Sequence, residues 1–394
     1  VRQRLFVDAL AQSCKQVDVL YLAHHDPAYV PNERTVTDMQ AIIHATWGPT
    51  FTLHVCRREQ PLKMKSPLAF VRAAASIFLQ RGYASVAGDR QRDALLALLR
   101  TEPDLVFVHR LASMPPLLRL RQHLPPVFFD LDDVEHIALW RNAVARPFHL
   151  PSLATVMHVP ALMAAERAAI RLASMTFLCS ELDVAKLSRK FHTNNLQAVP
   201  NSTRIPGKTT RSSAPRLLML GNYGYLPNRQ GVEFFVEHIF PMVRKALPGA
   251  ELLIAGANQG ALSFTTHPPS GVHVLGFVDR LDDLYQQAFA VVCPIYSGAG
   301  TRVKVIEAAA YGMPIIATRI GAEGIPLQDG VEILLADSPE DFAQACVRVL
   351  SDQSLASRLG AAARTAAVAR FDRTVIVEKL AAQFLKAVSE APSA

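Results

Sequence analysis

The sequence predicts an α/β protein built on two parallel, doubly wound sheets. Three observations carry this. Apolar runs of strand length alternate with helix-length stretches along most of the chain. One βαβ unit is legible in full: an apolar run at 290–295, glycines at Gly298 and Gly300, a helical stretch at 302–311 and a second apolar run at 314–318. The 394 residues suit two domains of ordinary size, and a Thr-, Ser-, Pro-, Lys- and Arg-rich stretch at 203–215 reads as the linker between them.

Taken in order, the chain opens on a helical stripe of Leu5, Phe6, Ala9 and Leu10, ahead of a strand at 17–22. A domain of this class would open with a strand, so the sequence reads as a fragment or truncated form whose first strand is missing. The first domain is assigned to residues 1–200. Its further strands are expected at 51–56, 105–108, 126–130, 175–179 and 196–199. Helices are expected near 36–46, 66–79, 90–101, 112–122, 160–173 and 181–190. Polar groups just past strand ends are candidate site residues, because open α/β sheets bind ligands at their carboxyl edge. His109-Arg110, the acidic run Asp130 to His136, and Ser180-Glu181 all lie there. His109 is the catalytic candidate, since an imidazole exchanges a proton near neutral pH or donates a hydrogen bond to a reacting group; the plainer alternative is a strand-end cap. Ser180-Glu181 is most simply a helix N-cap with acidic first-turn support. Asp130-x-Asp132 is a short pattern that hard cations favour, weighed against an acidic loop and helix start, and no metal site is assigned. His24 and His25 follow a strand without an assigned role.

The second domain is assigned to 201–372, with strands at 217–220, 251–255, 272–275, 290–295, 314–318 and 332–335. A long turn, 221–229, precedes a helix whose apolar stripe is Val232, Phe235, Val236, Ile239, Phe240 and Val243. That turn lacks G-x-G-x-x-G spacing, and the next strand ends in small residues rather than an acid, which argues against a dinucleotide-dependent dehydrogenase. The last helices are expected at 338–350, 353–369 and 373–388. On the 302–311 helix, Gly300, Lys304, Glu307 and Tyr311 share one stripe. A cation at the helix start could meet a phosphate, and a carboxylate one turn deeper could accept hydrogen bonds from sugar hydroxyls. The alternative is an i,i+3 ion pair on an exposed face. Arg302 lies off this stripe and could reach an anion only from the first turn.

Lys and Arg outnumber Asp and Glu by 41 to 34, a net charge of +7. This suits anionic partners or simply a mildly basic protein, and there is no nucleic-acid-binding motif. No apolar run approaches the ~18 residues of a membrane helix. The cysteines, Cys14, Cys56, Cys179, Cys293 and Cys346, are odd in number and unpaired in spacing. That argues against a disulfide framework or zinc site and for a reducing, cytoplasmic compartment.

The run from Gly298 through Thr318, followed by Gly-Ala-Glu-Gly-Ile at 321–325, resembles the donor-site signature of GT4-type (group 1) glycosyltransferases with the GT-B fold. More narrowly it resembles the sugar transferases of bacterial exopolysaccharide gene clusters. The resemblance implies two Rossmann-like domains facing each other across a cleft, with the 373–394 helix crossing back to the first. It implies a metal-independent, retaining transfer from a nucleotide-diphosphate sugar, which is a substrate rather than a cofactor, to a glycan or lipid-linked acceptor. It further implies contact of the protein with the inner membrane surface. Glu307 would hold the ribose, and Gly298, Ala299, Gly300, Thr301 and Arg302 would embrace the diphosphate and sugar. The Gly221-Asn222 turn would face the donor, with Arg229 as its cation. Lys304 would join Arg229 on the leaving group, His109 would lie near the transferred sugar, and the 276–279 segment near the base. The sequence departs from the family at Ala299, where many members carry a second Glu. A nucleotide-sugar 2-epimerase of the same architecture and a non-catalytic nucleotide-sugar-binding module are the competing readings.

Overall fold

The computed structural model describes residues 2–24, 26, 29–58, 89–120, 124–144, 156, 159–207 and 210–390. The chain divides into two units: one holds Arg2–Val199 with Val375–Ala394, the other Pro200–Thr374. The helix expected at 66–79, the end of that expected at 112–122, and His25 lie outside the described residues.

In the first unit, β1 (Val17–Ala23) and β2 (Phe51–Arg57) pair in parallel. β3 (Val106–His109), β4 (Val127–Asp132), β5 (Met175–Leu178) and β6 (Leu196–Ala198) form a second parallel sheet in sequence order. Side chains alternate across this sheet, as strand geometry requires. Val127, Phe129 and Leu131 pack against Ala165, Ala169 and Leu187 of the helices Val159–Leu172 and Glu181–Phe191. Phe128 and Phe177 face the opposite way, onto Phe6 of the helix Arg2–Ser13 and Phe384 of the helix Arg373–Glu390. The Phe128 and Phe384 ring centroids lie 5.1 Å apart and those of Phe6 and Phe177 5.3 Å. Ser180 caps its helix as expected, accepting from the Asp183 amide at 3.1 Å. The helix expected at 112–122 is instead a 3-10 turn, Leu111–Ser113, and one short helix, Pro115–Leu118. Pro115 and Pro116 lack the amide hydrogens that would carry a helix through from 112, so a helix can only begin there.

The second unit is one six-stranded parallel sheet, ordered β12 (Leu334–Leu335), β11 (Ile315–Ala317), β10 (Ala290–Cys293), β7 (Arg216–Leu220), β8 (Glu251–Ala255), β9 (Val272–Gly276). Leu217, Met219, Leu252 and Ile254 face one buried layer, with the helix Pro339–Ser351. Leu218, Leu220, Leu253 and Ala255 face the other, with the helices Val303–Ala310 and Gln353–Phe371. This is a doubly wound sheet, with β7 and β10 adjacent at the point where the strand order reverses. β10 stops at Cys293, short of the expected 295, because Pro294 cannot donate to the ladder. The helix after β7 runs through Leu226–Phe234, a π-turn at Phe235–Ile239 and Phe240–Ala246. The wide turn precedes Pro241, whose missing amide hydrogen breaks the regular ladder.

Candidate functional site

Strand reversal sets two glycine-containing turns side by side at the carboxyl edge of the second unit's sheet. In the turn after β10, Gly298 (φ 92°) and Gly300 (φ 79°) adopt the left-handed backbone that glycine accepts freely. Arg302 is buried and folded back on this turn. Its Nη1 donates to the carbonyls of Ala299 and Gly300, and its Nη2 to that of Ser297 at 3.2 Å. Arg302 therefore braces the turn from within. Asn201 Nδ2 donates to Thr301 Oγ1 at 2.7 Å, tying the turn to the segment that follows β6.

In the turn after β7, Asn222 Oδ1 accepts from the Gly224 amide at 3.0 Å and from Asn258 Nδ2 at 2.8 Å. Asn222 thus shapes the turn with its side-chain oxygen. Beneath it Gly256 has φ 138°, and a β-carbon there would lie 1.8 Å from the Gly221 carbonyl oxygen, so only glycine fits. Arg229 is partly buried and makes no ion pair with any described residue. Phe277, just past β9, is 70% exposed.

The helix Val303–Ala310 carries the two chemical groups. Lys304 Nζ donates to Asn228 Oδ1 at 2.9 Å. Burial lowers its pKa, with Arg302 adding to the effect and Cys293 and Glu307 opposing it. Glu307 is partly buried, its carboxylate accepts no hydrogen bond from a described residue, and its pKa is raised by burial, which Lys304 partly offsets. The ion pair between Lys304 and Glu307 is not formed: Lys304 is turned to Asn228 instead. Tyr311 donates to Asp282 at 2.8 Å and stacks on Tyr285 with ring centroids 4.0 Å apart, beside the helix.

In the first unit, His109 and Asp130 stand opposite each other on β3 and β4. His109 Nδ1 lies 2.8 Å from Asp130 Oδ2. The other carboxylate oxygen receives Arg2 Nε at 2.8 Å, and Arg2 Nη1 reaches the Val199 carbonyl at 2.6 Å. Asp130 is fully buried and Arg2 nearly so. Burial opposes the Arg2 charge, but Cys179, Asp130 and Asp132 outweigh it and raise the Arg2 pKa. A carboxylate on Nδ1 selects the tautomer with its proton there and leaves Nε2 as an acceptor. Asp132, at φ 63°, receives Arg110 at 2.9 Å. Ligand atoms of Asp132, Asp133 and Cys179 fall within 4.8 Å of one another. The thiol is a poor metal ligand here: burial raises its pKa and it donates to the Asp132 carbonyl at 3.1 Å.

Asn228, Asn201 and Arg2 belong to these arrangements without having been singled out in the sequence. Asp130 was singled out for its place in the acidic run at a strand end, not as the partner of His109.

Residues 214–352 match a family model described as glycosyl transferases, group 1. By this match the second unit is similar to a group 1 glycosyltransferase domain. The matched span contains both glycine turns, Lys304 and Glu307. A protein of the cps region of Klebsiella pneumoniae is 25% identical over 136 residues, 32% of this chain and 35% of that protein. The D-inositol 3-phosphate glycosyltransferase of Mycolicibacterium smegmatis is 32% identical over 189 residues, 42% of each chain. The chain thus spans about two fifths or less of the length of these curated relatives. Among solved structures, sucrose-phosphate synthase from Thermosynechococcus elongatus superposes with a TM-score of 0.64 at 17% identity, over 95% of this chain and 100% of that one. Anabaena HepE in complex with UDP superposes with a TM-score of 0.63 at 14% identity, over 97% and 95%. These likenesses establish the GT-B fold of the chain.

Proposed function

We propose that this protein transfers a sugar from a nucleotide-diphosphate donor to a hydroxyl of a glycan or lipid-linked acceptor, in cell-surface polysaccharide synthesis. The observation that carries the reading is the helix Val303–Ala310 at the strand reversal. It presents an ammonium at its first turn and, one turn on, a partly buried carboxylate that no described side chain donates to. Lys304 is assigned to the diphosphate and Glu307 to the ribose hydroxyls. Amides of 298–301 and the Arg229 guanidinium add to the leaving-group site. A departing diphosphate needs charge stabilisation more than a strong acid, and these groups supply it in a metal-independent mechanism. His109, its tautomer set by Asp130, is assigned to the transferred sugar. The transfer is proposed to retain configuration by front-face substitution. Ala299 offers no carboxylate, so no covalent intermediate is assigned to that turn. HepE, whose structures hold UDP and UDP-glucose, and the relative from a cps region support the donor and pathway classes. A lipid-linked acceptor would bring the enzyme to the cytoplasmic membrane surface.

Ligand-observed NMR with UDP-, GDP- and dTDP-sugars, on wild type and Glu307→Ala, tests the donor site. Binding of one donor that Glu307→Ala abolishes is the expected result. Binding of none of them by the wild type overturns the reading. Subsequent sugar transfer that persists in EDTA supports the metal-independent mechanism. Epimer formation without an acceptor would favour the 2-epimerase reading instead.

A further inference from the structure

The two glycine turns are joined by one side chain. Asn228, on the first turn of the helix Leu226–Phe234, accepts from Lys304 Nζ at 2.9 Å through Oδ1 and donates through Nδ2 to the Asn222 carbonyl at 3.0 Å. The two partners fix the amide orientation, since an ammonium can only donate and a carbonyl only accept. A β-carbon built on Gly221 would lie 3.4 Å from Lys304 Nζ and 3.2 Å from the Asn228 amide. The ammonium therefore rests against the bare α-carbon of Gly221, at the mouth of the β7 turn, although Lys304 belongs to the helix after β10.

We propose that Asn228 is a positioning residue that holds the Lys304 ammonium at the Gly221 turn and so makes the two turns a single diphosphate-binding unit. The proposal rests on the nucleotide-diphosphate reading above. A lysine stem has four rotatable bonds and its ammonium is a mobile point charge, so a fixed acceptor is needed to aim it. A neutral amide does this without cancelling the charge. An aspartate in its place would pair with the ammonium and repel the phosphates.

The test is a double-substitution cycle with Asn228→Ala and Lys304→Met. It is read by calorimetry with whichever of UDP, GDP or dTDP the wild type binds, and with the matching nucleoside. Asn228→Ala is expected to weaken the diphosphate about tenfold, the scale of a lost hydrogen bond to a charged group, and to leave nucleoside affinity unchanged. In the Lys304→Met background the same substitution should have no further effect. Asn228→Asp, nearly isosteric, should fold and also weaken the diphosphate. Equal losses for diphosphate and nucleoside, or additivity of the two substitutions, would overturn the assignment while leaving the donor reading intact. A wild type that binds no nucleoside diphosphate would overturn both.

Discussion

Lys304 shows how one residue's surroundings become a measurable property. Burial and Arg302 together lower its pKa, against the weaker pull of Cys293 and Glu307. A cation with a lowered pKa is fully charged below that value and loses its proton earlier than an exposed lysine as pH rises. Donor affinity should therefore be level near neutrality and fall on the alkaline side at a pH below the ~10.4 of a free lysine. Lys304→Arg, whose guanidinium stays protonated, should bind on through the same range; calorimetric titration across pH reads both. His109 makes a second case. Asp130→Asn should lower kcat by about 10²-fold while donor affinity changes little, the size of effect general acid–base catalysis carries, and steady-state kinetics separates the two. Lys304, Glu307 and His109 were legible in the sequence, because helical spacing and strand ends place them without tertiary knowledge. Asn228 and Arg2 were not. Their partners stand 76 and 128 residues away, and only the assembled sheet brings them together.

At the level of elements, the turns rather than the helices define the candidate site. The turn after β7 needs Gly256 beneath it, where φ is 138° and a β-carbon would collide with the Gly221 carbonyl. Gly256→Ala should destabilise the second unit by more than ~1 kcal/mol, since both the backbone conformation and the space are denied to alanine. Urea denaturation would register the loss, with weakened donor binding in the surviving folded fraction. Strand positions were readable because fully buried parallel strands are continuous apolar runs, as in Val291, Val292 and Cys293. Prolines trimmed what the apolar pattern overextended: Pro294 ends β10, and Pro115 and Pro116 break the helix expected at 112–122. Arg302 shows what spacing leaves out. Spacing gives a side chain's direction but not its partners, and this guanidinium found three carbonyls of its own turn.

For the molecule as a whole, the last helix belongs to the core of the first unit. Phe384 is fully buried and packs edge-on to Phe107, Phe128 and Phe177. Phe384→Ala should cost about 3–5 kcal/mol, the range for a truncated buried aromatic ring, and differential scanning calorimetry should show the lower transition. Length and composition suggest two domains, and the chain divides into two compact units between Val199 and Pro200. Which core the final helix completes was not legible from either, because an amphipathic stretch does not name the surface it covers. That helix also sets an order of events. A chain emerges from the ribosome N-terminus first, and domains normally fold in that order. Here the sheet of β3 to β6 is made early, yet Phe384 and Leu380 of its core are translated only after the whole second unit. The unit synthesised first is therefore the last to be complete. During synthesis Phe128 and Phe177, which the N-terminal helix covers in part through Phe6, must wait for Phe384 while the sheet of the second unit folds behind them.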